Sequence, residues 1–163
     1  FMSDTISTFK NFYKLSNKNK NFFIADAVID ILTIIEATFY FDNIKIYIIS
    51  HETEETFGNE NEFSQVIFSI LNNSRDIFKI RDIQNPEIHI SIENKKLSIR
   101  DNGGGIDEEL LDSVFLPSLS THDSTGIGLY LSKNIIEKNN GVITVLNDDD
   151  GAKFTIEFLT WLD

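Results

Sequence analysis

The stretch EIHISIENKKLSIRDNGGGID, residues 87–107, decides how the rest of the chain is read. It reads as two strands, 87–93 and 96–101, joined by a tight turn at Asn94–Lys95. The second strand ends in Asp101, followed by Asn102 and three glycines, where a turn alone rarely needs three. Glycine permits positive φ and close approach of the backbone to a ligand. A carboxylate at the lip of such a turn can accept a hydrogen bond from a ligand amino group. A flexible hairpin exit is the plainer alternative.

A second hairpin closes the chain. GVITVLNDDDGAKFTIEFL, residues 141–159, turns at Asp148–Gly151. Upstream, IKIYIIS at 44–50 reads as a strand. Helical spacing of apolar residues predicts helices over 3–14, about 24–40, 62–79 and 127–140, with a shorter one at 107–113. The polar stretches 15–21 and 51–61 read as a break and a loop, and the Ser/Thr-rich stretch 116–125, with Pro117, as another loop. Most strands fall in sequence-adjacent pairs rather than alternating with helices. That predicts a two-layer α/β (α+β) sandwich on a mixed, largely antiparallel sheet, not a doubly wound parallel one.

Composition narrows the function classes. The chain has 163 residues, enough for one domain with a proper core. Hydrophobic residues make up 41%, with 14 Phe, which predicts a globular fold rather than disorder. With no Cys, disulfides, thiol catalysis and thiolate metal sites are excluded. The formal net charge of −12 disfavours duplex nucleic acid and anionic membranes as partners. Neither an apolar run of membrane-spanning length nor a signal-peptide pattern is present. A cytoplasmic domain is expected. Met2 in second place suggests a piece of a longer parent, which leaves room there for a membrane anchor.

Two further patterns carry chemistry. In the helix over 62–79, Ser69, Asn73 and Asp76 are spaced i, i+4, i+7 and share one face, while Ile67, Ile70, Leu71 and Phe78 supply the apolar face. Asn72 and Asn73 are poor helix-interior residues, because their side chains compete for backbone hydrogen bonds. The face is either a solvated one or a set of oxygens aimed at a metal-bound phosphate. In STGIGLYLSKNIIEKNNG, residues 124–141, Gly126 and Gly128 lead into a helix whose first N–H groups are free to meet an anion. An ordinary glycine turn serves that pattern equally well.

In the order helix Asn, strand Asp with glycines, loop, and glycine pair with helix, these sites describe a nucleotide pocket. The chain resembles the GHKL (Bergerat-fold) ATP-binding domain of sensor histidine kinases. QVIFSILNNSRD resembles the N box, DNGGG the first glycine box, VFLPSLST the F box and TGIGLYLSK the second glycine box. The resemblance covers roughly residues 22–160. MSDTISTFKNFYK is similar to the end of the dimerisation helix that precedes this domain in such kinases. The implied division is therefore 1–16 for that helix end and 17–163 for the catalytic ATP-binding domain.

The resemblance implies ATP and Mg²⁺ as ligands. It assigns Mg²⁺ to Asn73, the adenine amino group to Asp101, the adenine wall to Gly103 and Gly105, and the lid anchor to Phe115. Gly126 and Gly128 let backbone N–H groups meet the phosphates, and Asp76, Thr125 and Leu129 complete the nucleotide contacts. The implied reaction is phosphoryl transfer from ATP to a histidine of an upstream dimerisation domain, with relay to a response regulator and a homodimeric parent. None of the three histidines is the acceptor: His89 alternates within a strand, His122 falls in the lid, and His51 follows a strand.

Several positions depart from the family pattern. Water-hydrolysing members carry Glu where this chain has Ser69, and kinases usually carry Asn there. Ser120-Thr121-His122 stands where kinases often read T-T-K, and Ser124 where the family often has another glycine. A serine kinase of the same fold, a degenerate regulatory domain and a water-hydrolysing ATPase are the competing readings.

Overall fold

The computed structural model describes residues 18–51, 54–117 and 128–159. The helix expected over 3–14 and most of the loop expected over 116–125 lie outside these residues. Among the described residues seven strands and four helices follow in the order β1 (Lys20–Phe23), α1 (Ile24–Phe41), β2 (Lys45–His51), β3 (Glu55–Gly58), α2 (Glu60–Ile80), β4 (Glu87–Glu93), β5 (Lys96–Asp101), α3 (Glu108–Leu111), α4 (Gly128–Lys138), β6 (Gly141–Asp148) and β7 (Gly151–Phe158).

The main sheet has five strands in the order β2-β4-β5-β7-β6. Only the β2–β4 pair is parallel, joined across α2; the others are antiparallel. The predicted mixed, largely antiparallel sheet is therefore the observed one. Period-two alternation puts Ile88, Ile90, Ile92, Leu97, Ile99, Phe154 and Ile156 on one face, fully buried. The helices supply the other half of the core: Ile24, Val28, Ile31, Ile35 and Phe39 from α1, and Phe63, Val66, Ile67, Ile70, Leu71 and Phe78 from α2.

Local chemistry sets the helix bounds. Asn59 caps α2 by accepting the Glu62 N–H at 3.1 Å. Both long helices end in Schellman turns without glycine. In α1, Asn43 takes φ 59° and the Ile44 N–H donates to the Phe39 carbonyl at 2.9 Å. In α2, Asp82 takes φ 49° and the Ile83 N–H donates to the Phe78 carbonyl at 3.0 Å. Asp and Asn tolerate this left-handed conformation better than other L residues.

The polar break and the loop expected at 15–21 and 51–61 are corrected in part. Lys20–Phe23 and Glu55–Gly58 pair as a small antiparallel ribbon, with Phe22 opposite Thr56. Each strand is only four residues long, too short for an alternation signal, and the pairing joins segments more than thirty residues apart. The helix expected over 107–113 contracts to Glu108–Leu111.

Helix α4 runs antiparallel to α2. Its end is tied to the start of α2 by Lys138 Nζ to Glu62 Oε2 at 2.6 Å and by the Asn59 N–H donating to Asn139 Oδ1 at 3.2 Å. Its start therefore lies against the middle of α2. Among the described residues no helix is long and apolar enough to cross a membrane.

Candidate functional site

Helix α2 faces two ways. Its apolar side is buried on the sheet, and its other side carries Ser69, Asn73 and Asp76, all half-buried. Gly128, the first residue of α4, sits against that second side: among the described residues, a β-carbon built on it would have Ser69 Oγ as its nearest neighbour, at 3.8 Å. Two of the three patterns read from the sequence are thus brought together. Leu129 follows in the first turn, partly buried against the core. Thr125 and Gly126 lie outside the described residues, as does His122.

The buried side of α2 reaches the third pattern. Asp101 closes β5 and is 5% exposed. Its Oδ2 accepts from Ser74 Oγ at 2.8 Å, and its Oδ1 accepts from the Gly103 N–H at 2.9 Å and the Ala152 N–H at 3.3 Å. A carboxylate has roughly four acceptor positions, so three donors leave room for one more. Asn102, next in the chain, accepts from the Glu87 N–H at 2.8 Å and donates to the Asn85 carbonyl at 3.0 Å, which pins the strand end.

The three glycines divide their work. Positive φ falls on Gly104 (96°) and Gly105 (80°). Gly103 is instead required by proximity: a β-carbon there would stand 2.9 Å from Ile77 Cγ2 and 3.2 Å from Asp101 Oδ1. The run is held from both sides. Arg81 Nη1 donates to the carbonyls of Gly103 and Gly105, the Gly104 N–H donates to the Asp150 carbonyl, and the Asn147 amide holds both polar backbone atoms of Ile106.

Phe115 packs edge-on against Phe154 of β7, with ring centroids 6.2 Å apart and planes at 83°, and Lys133 of α4 lies over its ring.

Sequence reasoning missed Ser74, Arg81, Asn147 and Gly151. Gly151 read as a turn residue, but a β-carbon there would stand 1.6 Å from the Asp101 carbonyl oxygen. No local pattern announces such a contact, because its two halves lie fifty residues apart. His89 is structural, as its alternation implied: its ring stacks on Tyr47 at 5.1 Å, with Arg100 beside it. His51 ends β2 and belongs to no helix.

Two carboxylates away from this site have shifted pKa values. Burial raises Asp42, but the Arg75 hydrogen bond and charge, with Lys79, outweigh it and hold the group below the usual carboxylate range. Asp30 is pushed up, by burial first and then by Glu60 and Asp26. Among the described residues no group of three or more His, Cys, Asp or Glu forms a metal cluster.

Comparison with known proteins gives a consistent result. The model of a family described as histidine kinase-, DNA gyrase B- and HSP90-like ATPase matches residues 58–161. A probable C4-dicarboxylate sensor kinase of Halalkalibacterium halodurans is 36% identical over 98 residues, 56% of this chain. The chain spans 18% of that relative's length. Among solved structures, the catalytic domain of the histidine kinase ThkA superposes with a TM-score of 0.74 at 22% identity, covering 85% of this chain and 93% of that one. ThkA in complex with the response regulator protein TrrA gives 0.66 at 20% identity, covering 95% of this chain and 47% of that one. At these identities the structural likeness speaks for the fold.

Proposed function

The chain belongs to the histidine kinase-, DNA gyrase B- and HSP90-like ATPase family, and from that premise we propose that it is the ATP-binding catalytic domain of a two-component sensor histidine kinase. Residues 1–16 are the end of a dimerisation helix, and 17–163 are the catalytic domain. The phosphoacceptor histidine belongs to the dimerisation domain of a homodimeric parent, and a response regulator takes the phosphoryl group onward.

The observation that carries this reading is the double role of α2. Through Ser74 it holds the buried Asp101, and through Ser69 it meets the start of α4. A base-recognising carboxylate and a phosphate-binding helix start are thereby set on either side of one helix. Asp101 accepts from the adenine amino group with its remaining acceptor position. The first N–H groups of α4, bare of side chain at Gly128, meet the phosphates, where the helix dipole favours negative charge. Asn73 and Asp76 offer oxygens on the same side as Ser69. Mg²⁺ takes one or two protein oxygens together with phosphates and waters, so Asn73 fits as its ligand. When bound, Mg²⁺ neutralises charge on the transferring phosphate.

The residues of this chain bind and orient rather than supply a nucleophile. Ser69 is a poor base at the position from which water would be activated, which favours transfer to an acceptor over hydrolysis. Transfer leaves ADP here and forms the new phosphorus–nitrogen bond on a histidine in the dimerisation domain.

Calorimetric titration with a non-hydrolysable ATP analogue and Mg²⁺ tests the reading, beside Asp101→Asn. Saturable binding by the parent and its loss in the variant are expected. No binding by the parent would sink the reading and put a degenerate regulatory domain in its place.

A further inference from the structure

The glycine run beside Asp101 is held by side chains that lie away from the pocket's expected ligand contacts. Arg81 is the C-cap residue of α2, fixed in place by the Schellman turn that follows it. Its single nitrogen Nη1 donates to the Gly103 carbonyl at 2.7 Å and to the Gly105 carbonyl at 2.8 Å. From the opposite side, Asn147 of β6 donates through Nδ2 to the Ile106 carbonyl at 2.7 Å and accepts the Ile106 N–H through Oδ1 at 2.8 Å. Between them, the Gly104 N–H donates to the Asp150 carbonyl at 2.7 Å. Four consecutive residues, 103–106, are thus tied to two separate parts of the fold.

This arrangement answers a physical difficulty. Glycine loses more backbone freedom on ordering than any other residue, and three in a row sample many conformations. Here two of them sit at positive φ, a choice the glycines do not make unaided. A loop left free would have to be ordered when the ligand arrives, at the expense of affinity.

We infer that Arg81 and Asn147 are positioning residues for nucleotide binding, which preset the glycine loop against Asp101 before the ligand enters. The inference rests on the ATP-binding reading. Both side chains are exposed, so their role is separable from the core. They act through the backbone of residues 103–106.

The test compares the parent with Arg81→Met, Arg81→Lys and Asn147→Ala. Three measurements are made on each: affinity for a non-hydrolysable ATP analogue with Mg²⁺, melting temperature, and hydrogen exchange of the amides at 103–106. Arg81→Met and Asn147→Ala should each weaken binding about ten-fold, the scale of losing a charge-assisted or paired hydrogen bond. Exchange at 103–106 should quicken in the free protein while melting stays near the parent's. Arg81→Lys should recover most of the affinity, because one nitrogen makes both bonds. Parent-like affinity in Arg81→Met and Asn147→Ala would overturn the inference and leave the ATP reading standing. So would weakening that follows a fall in melting temperature with no local change in exchange. A parent that binds no analogue would overturn the ATP reading, and this inference with it.

Discussion

Ser74 Oγ and Asp101 Oδ2 stand 2.8 Å apart, a hydrogen bond between the middle of α2 and the last residue of β5. Both residues are buried, at 1% and 5% exposure, so water offers Asp101 little compensation if Ser74 is lost. Ser74→Ala should destabilise the fold by about 1.5–3 kcal/mol, the range for a hydrogen bond to a charged group. Urea unfolding of the variant measures it. A loss below a few tenths of a kcal/mol would mean that the backbone donors of Gly103 and Ala152 suffice to hold the carboxylate.

Two glycine substitutions should separate folding from binding. Gly151→Ala drives a β-carbon into the Asp101 carbonyl and must move backbone, so a loss of about 3 kcal/mol or more is expected. Among the described residues Gly128→Ala meets nothing closer than 3.8 Å, and it opens a helix, so its stability should stay within about 1 kcal/mol of the parent, on the favourable side. On the proposed function, its nucleotide affinity should nevertheless fall. Thermal melts beside analogue titrations of both variants check the pair.

The Asp42 pair with Arg75 and Lys79 should give a pH signature. Its carboxyl is held below the usual value, so the contribution to stability is full above the unfolded value of about 3.9 and is lost as pH falls through the folded one. The gap in urea midpoint between the parent and Asp42→Asn should hold steady near neutral pH and close in acid. A gap that widened on acidification would contradict the assignment.

Asp30 should behave in the opposite sense. Its carboxyl is pushed up by burial, Glu60 and Asp26, so its favourable, protonated state is complete below the unfolded value and is lost as pH rises through the folded one. Asp30→Asn should therefore stabilise the protein at neutral pH, with the gain vanishing in acid. Equal midpoints for parent and variant across the whole range would remove the charge cluster as a source of strain.

What could be read from the sequence was whatever is local. The 87–101 hairpin carries its alternation and its turn within fifteen residues, and α2 announces both its apolar and its polar face. The β1–β3 ribbon could not be read, because Phe22 finds Thr56 only after α1 and β2 have been placed between them. The site divided along the same line. Asp101 and its glycines were visible as a strand end followed by a conformationally free run. The reason for each glycine was not, since Gly103 is dictated by Ile77 of another element. Arg81, Asn147 and Gly151 act on the loop from helix and hairpin, and no spacing rule links them to it.

The stitch between the Gly104 N–H and the Asp150 carbonyl makes the two hairpin turns unequal as places to splice foreign sequence. The β6–β7 turn at Asp149–Asp150 holds the glycine run, so a reporter domain inserted there would unpick it. The Asn94–Lys95 turn lies at the other end of β5, a strand's length from Asp101. A sensor built from this chain should carry its insert at that far turn.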